Sequence, residues 1–176
     1  MRTVTYGAAC SLDGFITAAD GSIDWLQFSK DAQKSMTEYW ATIDTVLMGR
    51  KTWEFAMAQG GGSGGDSSIS SYVFSRTLRE VPAGATLVSS DAGEFVRKLK
   101  AEPGRGICVM GGGELARSLF EAGVIDEVGL NVHPVLLGSG VPFFRDAGRR
   151  IALDLAESRT ISGGCVLMTY RVRNGG

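Results

Sequence analysis

The sequence has little of the material from which several common sites are built. It contains one histidine and three cysteines among 176 residues. Cys10, Cys108 and Cys165 lie far apart in apolar runs without a CxxC pair, a pattern that does not predict a zinc or dithiol redox site. His133 precedes Pro134 in an apolar run and has no nucleophile motif to activate. We therefore predict buried, apolar cysteines, a core or interface role for His133, and no metal.

The chain also lacks an excess of either charge and any long apolar run. Its 18 basic and 19 acidic residues are scattered and give a formal charge of -1, so neither nucleic acid nor an anionic membrane is an expected partner. No run reaches the roughly 18 to 20 apolar residues of a membrane helix, and no signal-peptide pattern opens the sequence. We expect a cytoplasmic protein with a small-molecule partner, folded as one domain over residues 1–176.

Short β-type runs alternate with helical patterns over the first 123 residues. Ser29 is predicted to cap a helix from residue 30 to residue 43, with Met36, Tyr39, Trp40 and Ile43 on its buried face. The other predicted helices cover residues 50–57, 92–101 and 115–123, and the predicted strands cover 2–10, 45–48, 72–74, 86–89 and 107–110.

The last fifty residues change character, because 127–137, 151–158 and 165–172 are β-like with no helical pattern between them. Alternating strands and helices predict a parallel sheet, and the final segments predict antiparallel strands at one edge. The expected fold class is α/β, with a mixed, mainly parallel sheet, antiparallel C-terminal strands and helices on both faces. The glycine-rich stretch 60–68 is predicted to be a mobile surface loop and not a domain boundary.

Three turns that follow predicted strands carry the clearest chemical pattern: Gly49, Ser75 to Thr77, and Gly111 to Gly113. In an open α/β sheet such strand ends border the ligand crevice, where helix N-termini offer amides to phosphate. Arg50, Lys51 and Arg76 add positive charge, and two basic turns favour NADPH over NADH. The alternative is that each glycine only turns the chain and each cation is a surface residue.

A Rossmann-type dehydrogenase is disfavoured. MGGGE at 110–114 does not fit GxGxxG, and no acidic residue follows an early turn at the expected distance. The sequence also has no Tyr-x-x-x-Lys pair.

Longer segments resemble a known family. VLMGRKTWE at 46–54 resembles the cofactor-binding segment of dihydrofolate reductases, and VFSRT at 73–77 resembles their turn for the 2′-phosphate of NADPH. Residues 111–144 are similar to the reductase domain of bacterial riboflavin-pathway deaminase-reductases and their stand-alone relatives, and AACSLDGFIT at 8–17 extends the match. The resemblance covers nearly the whole chain and implies the dihydrofolate reductase-like three-layer fold.

The resemblance implies contacts with NADPH at four places. Ala9 and Ile16 would border the nicotinamide. The phosphates would be held by Gly49, Arg50, Lys51 and Thr52, and the 2′-phosphate by Ser75, Arg76 and Thr77. The pyrophosphate and nicotinamide ribose would meet the backbone of Gly111, Gly112, Gly113, Glu114 and Leu115.

The substrate side of the resemblance departs from both relatives. Dihydrofolate reductases keep a catalytic carboxylate at the start of the first long helix, shortly after a Trp, and here Asp31 follows Trp25 one residue later than expected. Asp31 is the candidate catalytic residue, with stabilisation of the helix dipole as the alternative. Asp13, Trp25 and Phe28 are candidate substrate contacts, with a turn role for Asp13 and core roles for the two aromatics as alternatives.

The riboflavin-pathway enzymes have basic residues on the first helix, where the segment QKSMTEYW at 33–40 offers only Lys34, and a Lys where this chain has Phe15. The sequence thus predicts an NADPH-dependent reductase that transfers hydride to a C=N or C=O bond of a pterin, riboflavin-precursor or similar heterocycle. The alternative is a protein that binds NADPH or a pterin without efficient turnover. A homodimer through the C-terminal antiparallel strands is also expected, with 128–137 as an apolar edge.

Overall fold

The computed structural model describes residues 1–60 and 68–173. Positions 61–67 of the stretch predicted as a mobile loop lie outside the described residues. In chain order the described elements are β1 (Val4–Ser11), β2 (Phe15–Ala18), α1 (Lys30–Ala41), β3 (Ile43–Gly49), α2 (Arg50–Ala58), β4 (Ser70–Phe74), β5 (Ala85–Val88), α3 (Ala92–Ala101), β6 (Gly106–Met110), α4 (Gly113–Glu121), β7 (Glu127–His133), β8 (Gly140–Pro142), β9 (Leu153–Ile161) and β10 (Cys165–Val172).

Eight strands form one sheet in the order β5-β4-β3-β6-β1-β7-β10-β9, while β2 pairs with β8. The first six strands in this order are parallel, because crossover connections return the chain to the same end of the sheet. The hairpin of β9 and β10 completes the sheet in the antiparallel sense. The predicted mixed, mainly parallel sheet is confirmed.

The assignment of 127–137 to the antiparallel edge is wrong in part. β7 pairs in parallel with β1 on one side and antiparallel with β10 on the other. It enters the sheet after α4, and a helical crossover gives it the direction of the preceding strands. At the antiparallel end of the sheet the edge strand is therefore β9, and the apolar strand within 128–137 lies in the interior of the sheet.

The first helix is shorter than predicted. Ser29 Oγ accepts the Ala32 N–H at 3.1 Å, as the predicted cap requires. α1 ends at Ala41, and Ile43 opens β3 instead of closing the helical face. Met36 is 43% exposed, so its predicted core position is wrong. Of the apolar residues of α1, Ala32 near its start and Tyr39 and Trp40 in its last turn join apolar clusters. Among the described residues no helix combines the length and apolarity needed to span a membrane.

Helices cover both faces of the sheet, and the described residues form three apolar clusters. The larger cluster lies under α3 and α4 and includes Tyr6, Leu119 and Phe120. A second lies under α1 and α2, where Trp53 packs near Cys108, and the third joins Ala32 of α1 to Cys165 of β10. All three cysteines are buried free thiols and His133 is only 1% exposed, which confirms the predictions for these four residues.

Two ion pairs close the amino edge of the sheet. The Arg2 guanidinium pairs with Asp44 at the start of β3. Lys100 Nζ lies 2.7 Å from both carboxylate oxygens of Asp126, which also accepts the Val4 N–H at 2.8 Å. Because Arg2 and Lys100 are buried, these carboxylates supply the charge that two buried cations require.

Candidate active site at the carboxyl edge of the sheet

The predicted cofactor turns lie side by side at the opposite, carboxyl edge. They follow β4, β3 and β6, which are neighbours in the sheet, and β1 and β7 come next. Because these strands are parallel, their carboxyl ends meet at one edge. Neighbouring strands are about 4.8 Å apart, so the turn after β4 and the end of β1 are separated by roughly 14 Å. The sheet thus arranges the predicted residues in one row.

Two helices begin at this edge without a side-chain cap. Gly49 precedes α2 and Gly112 precedes α4, and neither offers a capping side chain. By contrast, Ser29 and Asp91 accept amide hydrogen bonds at the starts of α1 and α3. The positive ends of α2 and α4 therefore face the edge without a side-chain acceptor, and such ends bind phosphate groups.

Arg50 links the turn after β3 with the turn after β4. Its Nη1 donates to Thr77 Oγ1 at 3.2 Å, and its Nε lies 3.5 Å from Glu54 Oε1. Ser75 Oγ accepts the N–H groups of Thr77 and Leu78 at 3.2 and 3.1 Å, which fixes the shape of the second turn. Two predicted phosphate-binding turns are consequently in direct contact.

Lys51 and Arg76 are exposed at the same two turns. Together with Arg50 they place three cationic side chains beside the uncapped start of α2. Arginine and lysine in this position suit phosphate groups, arginine through its forked donors and lysine as a compact charge.

The glycine turn after β6 packs against Thr52. A Cβ atom at Gly111 would lie 2.8 Å from both Thr52 Cγ2 and Oγ1, and one at Gly112 would lie 3.0 Å from Oγ1. Both glycines also have positive φ, +55° and +50°. Only glycine fits this approach without strain. A Cβ atom at Gly49 would be 3.9 Å from Leu115 Cβ, so the turns after β3 and β6 lie close together.

Arg145 is an addition that the sequence did not indicate. A Cβ atom at Gly113 would be 2.6 Å from Arg145 Cγ, and Arg145 Nη1 lies 3.5 Å from Glu114 Oε1. The side chain therefore crosses the start of α4. No motif links the segment after β8 to the glycine turn, so this contact is visible only in three dimensions.

A half-exposed floor lies next to the glycine turn. Gly7 pairs with Gly129 and Ala9 pairs with Asn131 across β1 and β7, and these alternate positions share one face of the sheet. All four are only partly buried. Central parallel strands are normally covered on both faces, so this exposure marks a cleft whose floor is nearly free of side chains. Ile16, the other predicted nicotinamide contact, packs on β2 against the larger cluster. That cluster holds Tyr6 and Ala8, which point to the opposite face of the sheet, so the structure does not bring Ile16 onto this floor.

Asp13 joins two loops. Its carboxylate accepts the Ser11 hydroxyl at 2.6 Å and the N–H groups of Leu137 and Gly138 at 3.1 and 2.8 Å. The Ser11 hydroxyl, followed by the two amides, lowers the pKa of Asp13 and keeps it ionised. These contacts support the turn role, and the predicted substrate contact stays a prediction.

Asp31 is exposed at the start of α1 and contacts the β9–β10 turn. Its Oδ2 accepts the Ser162 amide at 3.2 Å and also the Ser162 hydroxyl. The Ser162 hydroxyl is the main cause that lowers the pKa of Asp31. A proton donor at neutral pH needs a raised pKa, so this arrangement does not support the predicted acid role.

The two aromatic residues predicted to contact the substrate, Trp25 and Phe28, lie in different surroundings. Phe28 is 61% exposed and has no place in the described apolar clusters. Trp25 is half-buried and packs edge to face on the His133 ring, with ring centroids 5.5 Å apart. Trp25 therefore lies beside the end of β7 at the cleft edge of the sheet.

His133 and Asn131 are functional candidates that sequence reasoning missed. They are alternate residues of β7, and Asn131 is the register partner of Ala9. Nε2 of His133 and Oδ1 of Asn131 are both buried without a hydrogen-bond partner among the described residues. In the sequence, these two residues are visible only as polar side chains near the carboxyl end of an apolar strand. Their position at the candidate site becomes apparent only once β7 is known to lie beside β1.

The fold defines the class of protein. Dihydrofolate reductase from Enterococcus faecalis, solved with NADP(H), superposes with a TM-score of 0.69 over 97% of this chain and 96% of its own, at 14% identity. A "Putative riboflavin biosynthesis protein" from Shewanella sp. PV-4 superposes with a TM-score of 0.85 over 98% and 99% of the two chains, at 23% identity. The fold is dihydrofolate reductase-like.

The chain belongs to the RibD C-terminal domain family, whose model matches residues 2–167. Among curated proteins, "Uncharacterized protein YyaP" of Bacillus subtilis (strain 168) is 34% identical over 179 aligned positions, with 96% of this chain and 94% of the relative covered. The family is of the reductase type, as the segment 111–144 indicated.

Proposed function

We propose that this protein is an NADPH-dependent reductase that transfers hydride to a C=N or C=O bond of a flat heterocycle of the pterin or riboflavin-precursor kind. The observation that carries the proposal is the contact between the three turns. Arg50 bonds Thr77, and Thr52 packs on Gly111 and Gly112. These contacts make one continuous binding edge from the end of β4 to the end of β6.

The residues of this edge fit a nicotinamide dinucleotide phosphate. Its phosphate groups need cations and free amides, which Arg50, Lys51, Arg76 and the uncapped helix starts supply. The row of roughly 14 Å from the turn after β4 to the end of β1 suits an extended dinucleotide. In this assignment Ser75, Arg76 and Thr77 bind the 2′-phosphate. The remaining phosphate contacts come from Gly49 to Thr52 and from the backbone of Gly111 to Leu115.

A bound reduced nicotinamide supplies the hydride. The protein holds the acceptor ring on the floor formed by Gly7, Ala9 and Gly129, where the methyl group of Ala9 is the largest side chain, so a flat ring can approach the sheet. Trp25 and Asn131 border this floor. Ile16 on β2 stays a proposed second contact for the nicotinamide beside Ala9. Fixing two rings in contact is the main contribution such a site makes to the rate.

The role of Arg76 tests the proposed cofactor. Replacing Arg76 by Ala removes charge-assisted hydrogen bonds to the 2′-phosphate, each worth about 1.5 to 3 kcal/mol. NADPH affinity should fall about 10- to 100-fold while NADH affinity stays unchanged. Titration calorimetry with both nucleotides measures this ratio.

Arg117→Ala is the matched control, because Arg117 is also an exposed arginine and pairs with Glu121 on α4. It should leave both affinities unchanged. An unchanged ratio of NADPH to NADH affinity in Arg76→Ala would remove the role assigned to the 75–77 turn.

A second candidate is a protein that binds NADPH or a pterin without efficient turnover. It is favoured by the contacts of Asp31, which hold that carboxylate on Ser162 and leave the proton donor unassigned. Loss of NADPH absorbance in the presence of dihydrofolate, pyrimidine or quinonoid acceptors distinguishes the two functions. Cofactor binding with no oxidation in any of these assays would support the binding protein.

A further inference from the structure

Two N–H groups near the cleft are buried without an acceptor. Nε2 of His133 and Nε1 of Trp25 have no hydrogen-bond partner among the described residues, and His133 is only 1% exposed. Leaving a buried polar group unpaired costs about 1 to 3 kcal/mol, so native proteins keep few of them. Their occurrence on two rings in contact indicates a missing acceptor.

The contacts of the other ring nitrogen make Nε2 a donor. Nδ1 of His133 accepts the Gln27 backbone N–H at 3.2 Å, and Cys165 Sγ lies 3.5 Å from the same nitrogen. Burial lowers the pKa of His133, so the imidazole is neutral at physiological pH. A neutral imidazole that accepts at Nδ1 carries its proton on Nε2. The indole Nε1–H of Trp25 is a donor in every state.

Both rings lie at the cleft. The His133 and Trp25 rings meet edge to face with centroids 5.5 Å apart. His133 pairs with Ser11 and Asn131 pairs with Ala9, so their side chains lie on the face of the floor. Oδ1 of Asn131 is a third buried, unpartnered atom on that face. The unpaired groups therefore gather where the proposed function places the acceptor ring.

We propose that the N–H groups of His133 and Trp25 bind a carbonyl oxygen on the ring of the substrate. This inference rests on the proposed function and names the chemistry that the substrate must have at one edge. A carbonyl oxygen has two lone pairs and can accept from both N–H groups. An amino group or ring N–H at this position would need an acceptor, such as a carboxylate, in place of the two donors. The site therefore prefers a ring carbonyl over an amino group at this position of the substrate.

Access to the two N–H groups requires a local movement. Neither atom contacts solvent, and Trp25 belongs to the irregular segment 19–29 between β2 and α1. An incoming carbonyl must displace part of this segment. The packing of the segment over the two N–H groups is then replaced by two hydrogen bonds to the carbonyl oxygen.

A pair of substitutions at His133 separates the two ring nitrogens. His133→Asn keeps an acceptor near Nδ1 for the Gln27 amide and removes the Nε2 donor, while His133→Gln keeps a donor near Nε2. Trp25→Phe removes only the indole N–H. The probes are 6-aminouracil, which has two ring carbonyls, and 2,4,6-triaminopyrimidine, which has none, measured above the ring pKa of the latter.

Titration calorimetry on the NADPH-loaded full chain should show that His133→Asn and Trp25→Phe each weaken 6-aminouracil binding about fivefold to tenfold, the value of one hydrogen bond. Binding of triaminopyrimidine should not change, and His133→Gln should stay closer to the wild type. In ¹⁵N-resolved spectra the Trp25 indole signal, identified by its loss in Trp25→Phe, should move on addition of 6-aminouracil, while the Trp40 signal should not.

Three results would overturn the proposal. The first is equal affinity of folded His133→Asn and wild type for 6-aminouracil, which indicates that a buried water satisfies both donors. The second is an equal loss for both probes. The third is an indole signal that does not respond. Because NADPH oxidation is followed separately, a failed reductase with intact carbonyl recognition is distinguishable from an active reductase that does not use these donors.

Discussion

Asp31 joins the start of α1 to the β9–β10 turn through Ser162. Because that contact lowers the pKa of Asp31, we expect Asp31→Asn to lower the melting temperature while the pH profile of NADPH oxidation stays unchanged. Stopped-flow rates from pH 5 to pH 9 and thermal melts measure the two effects.

Ser162→Ala is the matched variant, since it removes the hydroxyl bond to Asp31 but keeps the carboxylate and the Ser162 amide that donates to it. It should also lower the melting temperature, by less than Asp31→Asn does. A fall in rate of about 100-fold or more in Asp31→Asn alone, with loss of the decrease in rate at high pH that deprotonation of an acid causes, would instead establish Asp31 as the proton donor.

Gly111 is the residue where the cofactor turns are most tightly packed. Gly111→Ala brings a Cβ atom into Thr52 and strains a left-handed backbone, so unfolding free energy should fall by more than the roughly 1 to 2 kcal/mol of the backbone effect alone. Gly123→Ala is the control, because Gly123 also has positive φ but open space around it. Chemical denaturation of both variants gives the difference.

A double variant with Thr52→Ala should recover the additional loss of unfolding free energy in Gly111→Ala, since Cγ2 and Oγ1 of Thr52 are the atoms that the new Cβ atom would clash with. Equal stability losses in Gly111→Ala and Gly123→Ala would contradict the packing described here.

Local patterns could predict the cofactor residues because each turn carries its own signal. Gly49 is followed by two cations after a β-type run, and Ser75 to Thr77 place an arginine between two hydroxyl residues after another such run. Both patterns are visible without any knowledge of the fold. The substrate side has no such signal. His133 was interpreted as a core residue, which its burial confirms, but the meaning of its unpaired Nε2 depends on Gln27 and Trp25, both more than a hundred residues away in sequence.

At the scale of elements, the ion pair between Arg2 and Asp44 at the start of β3 makes the stability of the protein depend on pH. Burial would raise the pKa of Asp44, but the Arg105 N–H, the Thr45 hydroxyl and the Arg2 charge together lower it. A carboxyl with a lowered folded pKa stabilises the protein above its unfolded pKa of about 3.9, and the stabilisation is lost as the pH falls through the folded value.

Thermal melts of the wild type should therefore show a fall in stability below about pH 4 that is shallower in Asp44→Asn. At neutral pH this variant should lose about 1 to 3 kcal/mol, because it removes the charge partner of the buried Arg2, which keeps its bonds to Thr45 and Arg105. Glu102→Gln, a change at an exposed carboxyl at the end of α3, is the control. Parallel acid limbs in wild type and Asp44→Asn would contradict the assignment.

The sequence predicts the existence of strands and helices where the apolar periodicity is strong. It does not predict which strands are neighbours in the sheet. Periodicity predicted α3 and α4 because their apolar residues lie on one face. It misplaced Met36 because helical spacing does not show how far the core extends beneath α1. It also misassigned β7, since an apolar strand has the same pattern in a parallel or an antiparallel pair.

At the scale of the whole molecule, β9 is a long edge strand whose residues are exposed from Leu153 to Thr160. An edge of this kind invites pairing with another chain. We propose a homodimer through β9, where Leu155 is 57% exposed. Light scattering across a concentration series should give a dimer for the wild type and a monomer for Leu155→Lys.

Leu136→Lys is the matched control, because Leu136 is similarly exposed but lies outside the sheet. It should leave the dimer intact. A monomeric wild type at high concentration would remove the proposal, and a monomer only in Leu136→Lys would place the interface in the loop after β7.

The position of β1 between β6 and β7 has a consequence for the order in which the chain folds. During synthesis β1 finds its first neighbour in the sheet only when residue 106 has emerged from the ribosome and its second only when residue 127 has. At roughly 5 to 20 residues per second, β1 waits for about 5 to 25 seconds with its hydrogen-bonding groups unpaired. The floor of the cleft is therefore the last part of the parallel sheet to form, and a nascent chain halted before β7 would carry the phosphate-binding turns but no place for the substrate.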